Sequence, residues 1–155
     1  FYNPLCQAIV TVTNPLLRPL RRYVPSVSNL DTASILLMLA LQLTSSALIA
    51  LLMGFTPGPF GLLLVAIAEL ISKAIYLFIF AIFIRIVLSW VAPHTYNPVI
   101  GVIDAISAPL LRPAQRLLPP FGGTIDLSPM LVIIGLYLGL MLIVAPLRDL
   151  GRAWM

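Results

Sequence analysis

Charge is scarce in this chain. Asp, Glu, Lys and Arg together supply 9% of its 155 residues, against about 25% in an ordinary soluble domain. Hydrophobic residues make up 61%, gathered in runs of about 20, the length that crosses a bilayer. The deficit of charge therefore points to an integral membrane protein. Cysteine occurs once, as Cys6, which excludes an internal disulfide and any multi-cysteine metal site. Histidine also occurs once, as His94, with no ligand cluster around it. No glycine-rich phosphate loop is present, since "FGG" at 121–123 lacks the Walker spacing and its Lys. No GxSxG elbow occurs either. With no catalytic set, metal site or cofactor motif, the expectation is a non-enzyme. The basic residues are too few for direct nucleic-acid binding, and no basic-aromatic motif surrounds them.

What the chain does carry is proline and edge-placed arginine. The formal net charge is +4, and nearly all the cations are Arg at the margins of apolar runs. That placement suits anionic lipid headgroups and topology setting. "NPLLRPLRR" at 14–22 returns as "APLLRPAQR" at 108–116. A shift of 94 residues superposes "YNP" at 2–4 on 96–98, Ile9 on Ile103 and "PLLRP" at 15–19 on 109–113. The same shift brings Arg22 onto Arg116 and Pro25 onto Pro119. One inserted residue later, Asp31 meets Asp126, and both copies enter a long apolar run. The matches at a single offset read as a two-fold duplication, a common membrane-protein device.

Each half reads in the same order. Asn before Pro suggests an N-cap followed by proline at the first helical position. Short amphipathic helices are expected over Pro4–Asn14 and Pro98–Ala108, lying at the membrane interface. Leu5, Ile9, Val12 and Leu16 share helical spacing, as do Val99, Ile103, Ile106 and Leu110. A proline-locked turn is expected next, framed by Pro15, Pro19 and Pro25 in one copy and by Pro109, Pro113 and Pro119 in the other. Proline fixes its own φ and biases the preceding residue, Arg18 or Arg112, away from helix. Asp31 and Asp126 then read as N-caps of spanning helices.

Ala33–Met53 is an uncharged apolar run long enough to cross. "TPGP" at 56–59 breaks it. Phe60–Val91 exceeds a bilayer, so its start reads as interfacial and its crossing as about Ser72–Val91. Pro129–Ala145 reads as the last crossing, ending near Pro146. The second "YNP" follows a spanning helix, whereas only Phe1 precedes the first. The symmetry thus calls for a further helix before Phe1. The expected fold is all-α and polytopic, a tandem repeat of spanning helix, interfacial helix, PLLRP turn and spanning helix. Its divisions are 1–55 for the first repeat, 56–71 for a linker and 72–155 for the second repeat. Both PLLRP segments then face one compartment. Arg18, Arg21, Arg22, Arg112 and Arg116 outnumber Lys73, Arg148 and Arg152 on the other side, which favours the cytoplasm.

The second half carries the most specific pattern: "RIVLSW" at 85–90, Asn97-Pro98, "APLLRP" at 108–113, "PPFGG" at 119–123 and "DLSP" at 126–129. These residues resemble those of the YggT (YlmG) family of small integral membrane proteins. The first half is similar but has "VPSVSN" at 24–29, without the Gly-Gly. The resemblance implies a multi-pass bacterial inner-membrane protein with duplicated units, and it implies no established catalytic activity. Roles it suggests are assembly of membrane complexes, division or nucleoid placement, and osmotic or ion homeostasis.

Candidate site residues are the polar groups that an apolar chain retains. Arg18, Arg22, Arg112 and Arg116 either snorkel to lipid phosphates or form a docking surface for an acidic partner, because Arg recognises carboxylate and phosphate bidentately. Arg85, inside an apolar helix, either snorkels to the headgroups or pairs with Asp126, Asp104 or a partner's carboxylate. Glu69 and Lys73 stand in the favourable order for a helical ion pair. Gln42, Thr44, Ser45 and Ser46 either hydrogen-bond to a neighbouring helix or line a polar cavity. The functional expectation is a scaffold or assembly subunit of a membrane complex. Its partners would be anionic lipid headgroups and other membrane proteins or further copies of itself. The alternative is a small ion channel or osmotic-stress transporter.

Overall fold

The computed structural model describes residues 3–24, 31–54, 56–91, 98–117 and 126–155. Among them the chain is helical and contains no strand. Helix α1 spans Pro4–Tyr23, α2 Thr32–Leu52, α3 Pro59–Val91 and α4 Pro98–Leu117. Helix α5 covers Ser128–Gly139 and passes through a π turn at Leu140–Val144 into α6, Ala145–Ala153. The chain forms two compact units: Phe1–Ile71 with Val144–Met155, and Ser72–Ile143.

The helix ends follow local chemistry. The Asn3 side chain accepts the Leu5 N–H at 3.0 Å, with Pro4 just inside the helix. Asp31 caps α2 and accepts the Ser34 N–H. That helix ends where Gly54 enters the left-handed region at φ 82°, a conformation open to a residue without Cβ. Asp126 sits one residue farther out than expected. Leu127 holds the N-cap position, and Asp126 accepts the Ser128 N–H at 2.9 Å. The carboxylate still meets an orphan donor of the first turn, because proline at position 129 makes no demand of its own.

Three segments are apolar and long enough to cross a membrane: Thr32–Leu52, Pro59–Val91 and Ser128–Ala153. At 1.5 Å per residue they measure about 32, 50 and 39 Å. No more than 17% of the apolar window in each is buried within the protein. Leu52, Phe80 and Leu142 stay between 62% and 80% exposed, as expected where lipid serves as solvent. In the second unit Ile82, Leu111, Ala114 and Val132 form a buried cluster that joins α3, α4 and α5.

Two sequence expectations need correction. Within the described residues the proline frames are helical and not turns. Pro15 and Pro19 lie inside α1, and Pro109 and Pro113 inside α4. Each proline deletes one backbone hydrogen bond and crowds the carbonyl four residues earlier. Those carbonyls belong to Thr11, Pro15, Ala105 and Pro109, all exposed residues. Solvent or headgroups can take the freed acceptors, and no packed face is disturbed. Pro25 and Pro119 lie outside the described residues, as do Asn97, His94 and "PPFGG". The last helix, likewise, does not end near Pro146 but continues to Ala153. The π turn immediately before Pro146 widens the backbone where its ring would otherwise meet the Leu142 carbonyl.

Candidate functional site

The repeated motif acquires a structural meaning once it is helical. Pro15, Arg18, Pro19 and Arg22 stand at i, i+3, i+4 and i+7, as do Pro109, Arg112, Pro113 and Arg116. At 100° per residue each set forms one stripe. All eight residues are exposed. On the other side of the helix, Leu17 and Leu111 are buried, at 8% and 1% exposure. The motif therefore specifies a packed leucine on one side and an Arg-Pro stripe on the other. Helix α1 packs against α2, and α4 against α5. Arg21 and Arg22 close α1, and Arg116 closes α4, where positive charge complements the helix dipole. Ile9, Val12 and Leu16 of α1 stay 57–75% exposed, an apolar strip available to lipid beside the stripe.

Each Arg-Pro helix is tied to the spanning helix that follows it. The Arg21 guanidinium donates to Asp31. That contact, then the Ser34 hydroxyl, pull the Asp31 carboxyl from 3.8 down to about 2. In the second unit Gln115, the counterpart of Arg21 under the 94-residue shift, donates from Nε2 to Asp126 at 2.8 Å. Burial pushes the Asp126 carboxyl up. Hydrogen bonds from Ser128 and Gln115, with the Arg85 charge, outweigh it and hold the carboxyl below its usual range. The first tie is an ion pair, whereas the second is an amide that leaves the carboxylate's charge uncancelled.

Arg85 meets Asp104, one of the partners expected for it, with Nε 3.0 Å from Oδ1. Among the described residues, Arg85 and Asp126 line one cavity of about 690 Å³ together with Ser89 and Trp90. Ile86, Pro129, Met130, Ile133 and Ile134 form its apolar wall. The cavity lies between the C-terminal end of α3 and the N-terminal end of α5.

Several of the remaining polar residues have structural partners. Gln42 donates to Ser46 at 3.1 Å, and both are buried. Thr44 donates to the Ala40 carbonyl, so this cluster satisfies much of its bonding within α2. Glu69 meets Arg148 at 3.0 Å, a cation that the four-residue spacing to Lys73 did not suggest. Close packing at Gly58, Gly61 and Gly151 was also not read from the sequence. A Cβ on Gly61 would lie 2.6 Å from the Gly151 carbonyl oxygen. The Arg21–Asp31 and Gln115–Asp126 ties had one available signal: the 94-residue shift aligns Arg21 with Gln115 and, after one inserted residue, Asp31 with Asp126.

Known proteins place this arrangement in a family. The CCB3/YggT family profile matches residues 1–52 and 64–147. An uncharacterized protein of Pseudomonas aeruginosa is 44% identical over 146 residues, covering 93% of this chain and 74% of that protein. The uncharacterized protein YggT of Escherichia coli strain K12 is 36% identical over 138 residues, covering 88% of this chain and 70% of that protein. A Haemophilus influenzae protein is 39% identical over 137 residues, covering 85% and 69%. No solved structure matches. The PLLRP motifs, the apolar helices and the extent of these matches agree: the chain belongs to the CCB3/YggT family.

Proposed function

We propose that this protein is a non-catalytic scaffold or assembly subunit of the bacterial inner membrane, which docks partners through its two Arg-Pro stripes. The observation that carries this reading is that Pro-Arg-Pro-Arg is exposed both at positions 15, 18, 19 and 22 and at 109, 112, 113 and 116. Topology setting alone requires positive charge. It does not require prolines spaced to share the arginines' face. Each proline also frees a backbone carbonyl of an exposed residue, so α1 and α4 can offer acceptors as well as donors. Under this reading α1 and α4 lie at one membrane face, because α2 and α3 both cross between them. The arginine majority favours the cytoplasm for that face. The two stripes are then copies of one device in a tandem repeat.

The test is purification of the full-length protein from native membranes with Arg18 and Arg112 both changed to Glu. Loss of co-purifying membrane proteins, with the variant still membrane-integrated, is expected. Unchanged co-purification would defeat the reading. A channel or transporter is the weaker alternative, because the mid-helix polar residues on which it rests, Gln42 and Ser46, are bonded to each other.

A further inference from the structure

The second unit carries polar residues at two positions where their counterparts in the first differ. Under the 94-residue shift, Asp104 corresponds to Val10 and Gln115 to Arg21. Around the cavity between α3 and α5 stand one guanidinium, Arg85, and two carboxylates, Asp104 and Asp126. Their charges sum to −1. The group is therefore a poor receptor for a purely anionic headgroup.

Each charged group in the cavity keeps bonding capacity. The Asp104 contact uses Nε of Arg85, and a guanidinium has four further N–H donors on its Nη atoms. Asp126 accepts the Ser128 N–H on Oδ1 and the Gln115 amide on Oδ2, and the Ser128 hydroxyl bonds it as well. A carboxylate has about four acceptor positions, so about one is left for a ligand. The cavity thus offers a cationic donor and an anionic acceptor. Below them runs an apolar wall of Ile86, Met130, Ile133 and Ile134.

Depth fixes the kind of ligand. Trp90, 80% exposed, stands one residue from the end of α3, and Asp126 two residues before α5. A tryptophan at the end of an apolar helix marks the headgroup level. A molecule at this depth, with its tail along the apolar wall, is a membrane lipid. We propose that this cavity binds one zwitterionic aminophospholipid, with its phosphate on Arg85, its primary ammonium on Asp126 and an acyl chain along Ile133 and Ile134. A primary ammonium has N–H donors for Asp126, whereas a quaternary choline has none. This site is separate from the Arg-Pro stripes and does not depend on their docking a protein.

The test is native mass spectrometry of the full-length protein from detergent, with phosphatidylethanolamine, phosphatidylcholine or phosphatidylglycerol of identical acyl chains. One tightly held phosphatidylethanolamine is expected, favoured about tenfold over each of the others, the scale of one charge-assisted hydrogen bond. Asp126→Asn should erase that preference, and Arg85→Gln should weaken phosphatidylethanolamine and phosphatidylglycerol alike. Ile134→Trp leaves the charges intact and fills the apolar wall; it should remove the bound lipid while circular dichroism shows the helices retained. Preference for phosphatidylglycerol in the unmodified protein would overturn the proposal. So would an undiminished phosphatidylethanolamine preference in Asp126→Asn. Absence of any tightly held lipid would also overturn it, as would occupation by a basic side chain of a partner.

Discussion

Replacing Gly61 with alanine tests the packing of the first unit at a point where the backbone cannot yield. An added Cβ would lie 2.6 Å from the Gly151 carbonyl oxygen and 2.7 Å from the Trp154 carbonyl carbon and oxygen. These are main-chain atoms, so no rotamer change relieves the contact. Restoring the shortest ordinary contact, 3.4 Å, requires α3 and the C-terminal segment to part by about 0.8 Å. That movement strains two neighbouring contacts. The Phe60 and Trp154 rings meet edge-to-face at 5.7 Å, and Glu69 meets Arg148 at 3.0 Å. Overpacking of this kind costs about 1–3 kcal/mol. For a chain of this size the expected fall in Tm is about 2–12 °C. The measurement is thermal unfolding in detergent followed by tryptophan fluorescence. Gly101 and Gly135 supply the controls, since a Cβ on either meets nothing within 4 Å. Both lie inside helices, so Gly→Ala there should stabilise by up to about 1 kcal/mol. A Gly61→Ala protein that unfolds at or above the temperature of the unmodified protein would refute the reasoning.

The Asp31 cap should show in acid. Its folded pKa of about 2 lies below the reference 3.8, so between those values the unfolded chain binds more protons and stability rises with pH. The contribution is complete above about pH 4 and disappears as pH falls through about 2. Arg21→Gln removes the largest cause, and carboxyl NMR should find Asp31 titrating closer to 3.8; an unmoved titration would exclude the Arg21 contact as the cause. Arginine at Phe80, 62% exposed near the middle of the expected Ser72–Val91 crossing, should cost about 2.5–3.5 kcal/mol of insertion free energy. Trp90→Arg at the helix end should cost much less, because the side chain reaches the headgroups. Equal insertion efficiency for the two variants would contradict a bilayer crossing by α3.

Apolar runs were the most legible feature of the sequence. Helix α2 was expected over Ala33–Met53 and is found over Thr32–Leu52, because an Asp cap and a left-handed glycine bound one unbroken run. The prolines were misread because local rules count the lost hydrogen bond without knowing which face of the helix loses it. With i, i+4 spacing, both prolines fall on the exposed side, and the packed leucine is undisturbed. Pro146 was misread for a related reason, since a π turn that accommodates the ring leaves no mark in composition. Arg85 was legible as a group needing a partner, and Asp104 was among those named. The choice of Asp104 depends on how α4 returns beside α3, which no local pattern encodes. Gly61 and Gly151 lie 90 positions apart, and their contact exists only after two apolar helices have met.

Paired docking requires α1 and α4 to lie at one face of the membrane. The direct measurement is labelling of single cysteines placed at Arg22, Arg116 and Arg152 in a Cys6→Ser background of the full-length protein, using a membrane-impermeant maleimide. In intact spheroplasts, cysteines at 22 and 116 should be protected together and become reactive only after permeabilisation, while a cysteine at 152 should react from outside. Labelling of 22 and 116 from opposite faces would contradict the account.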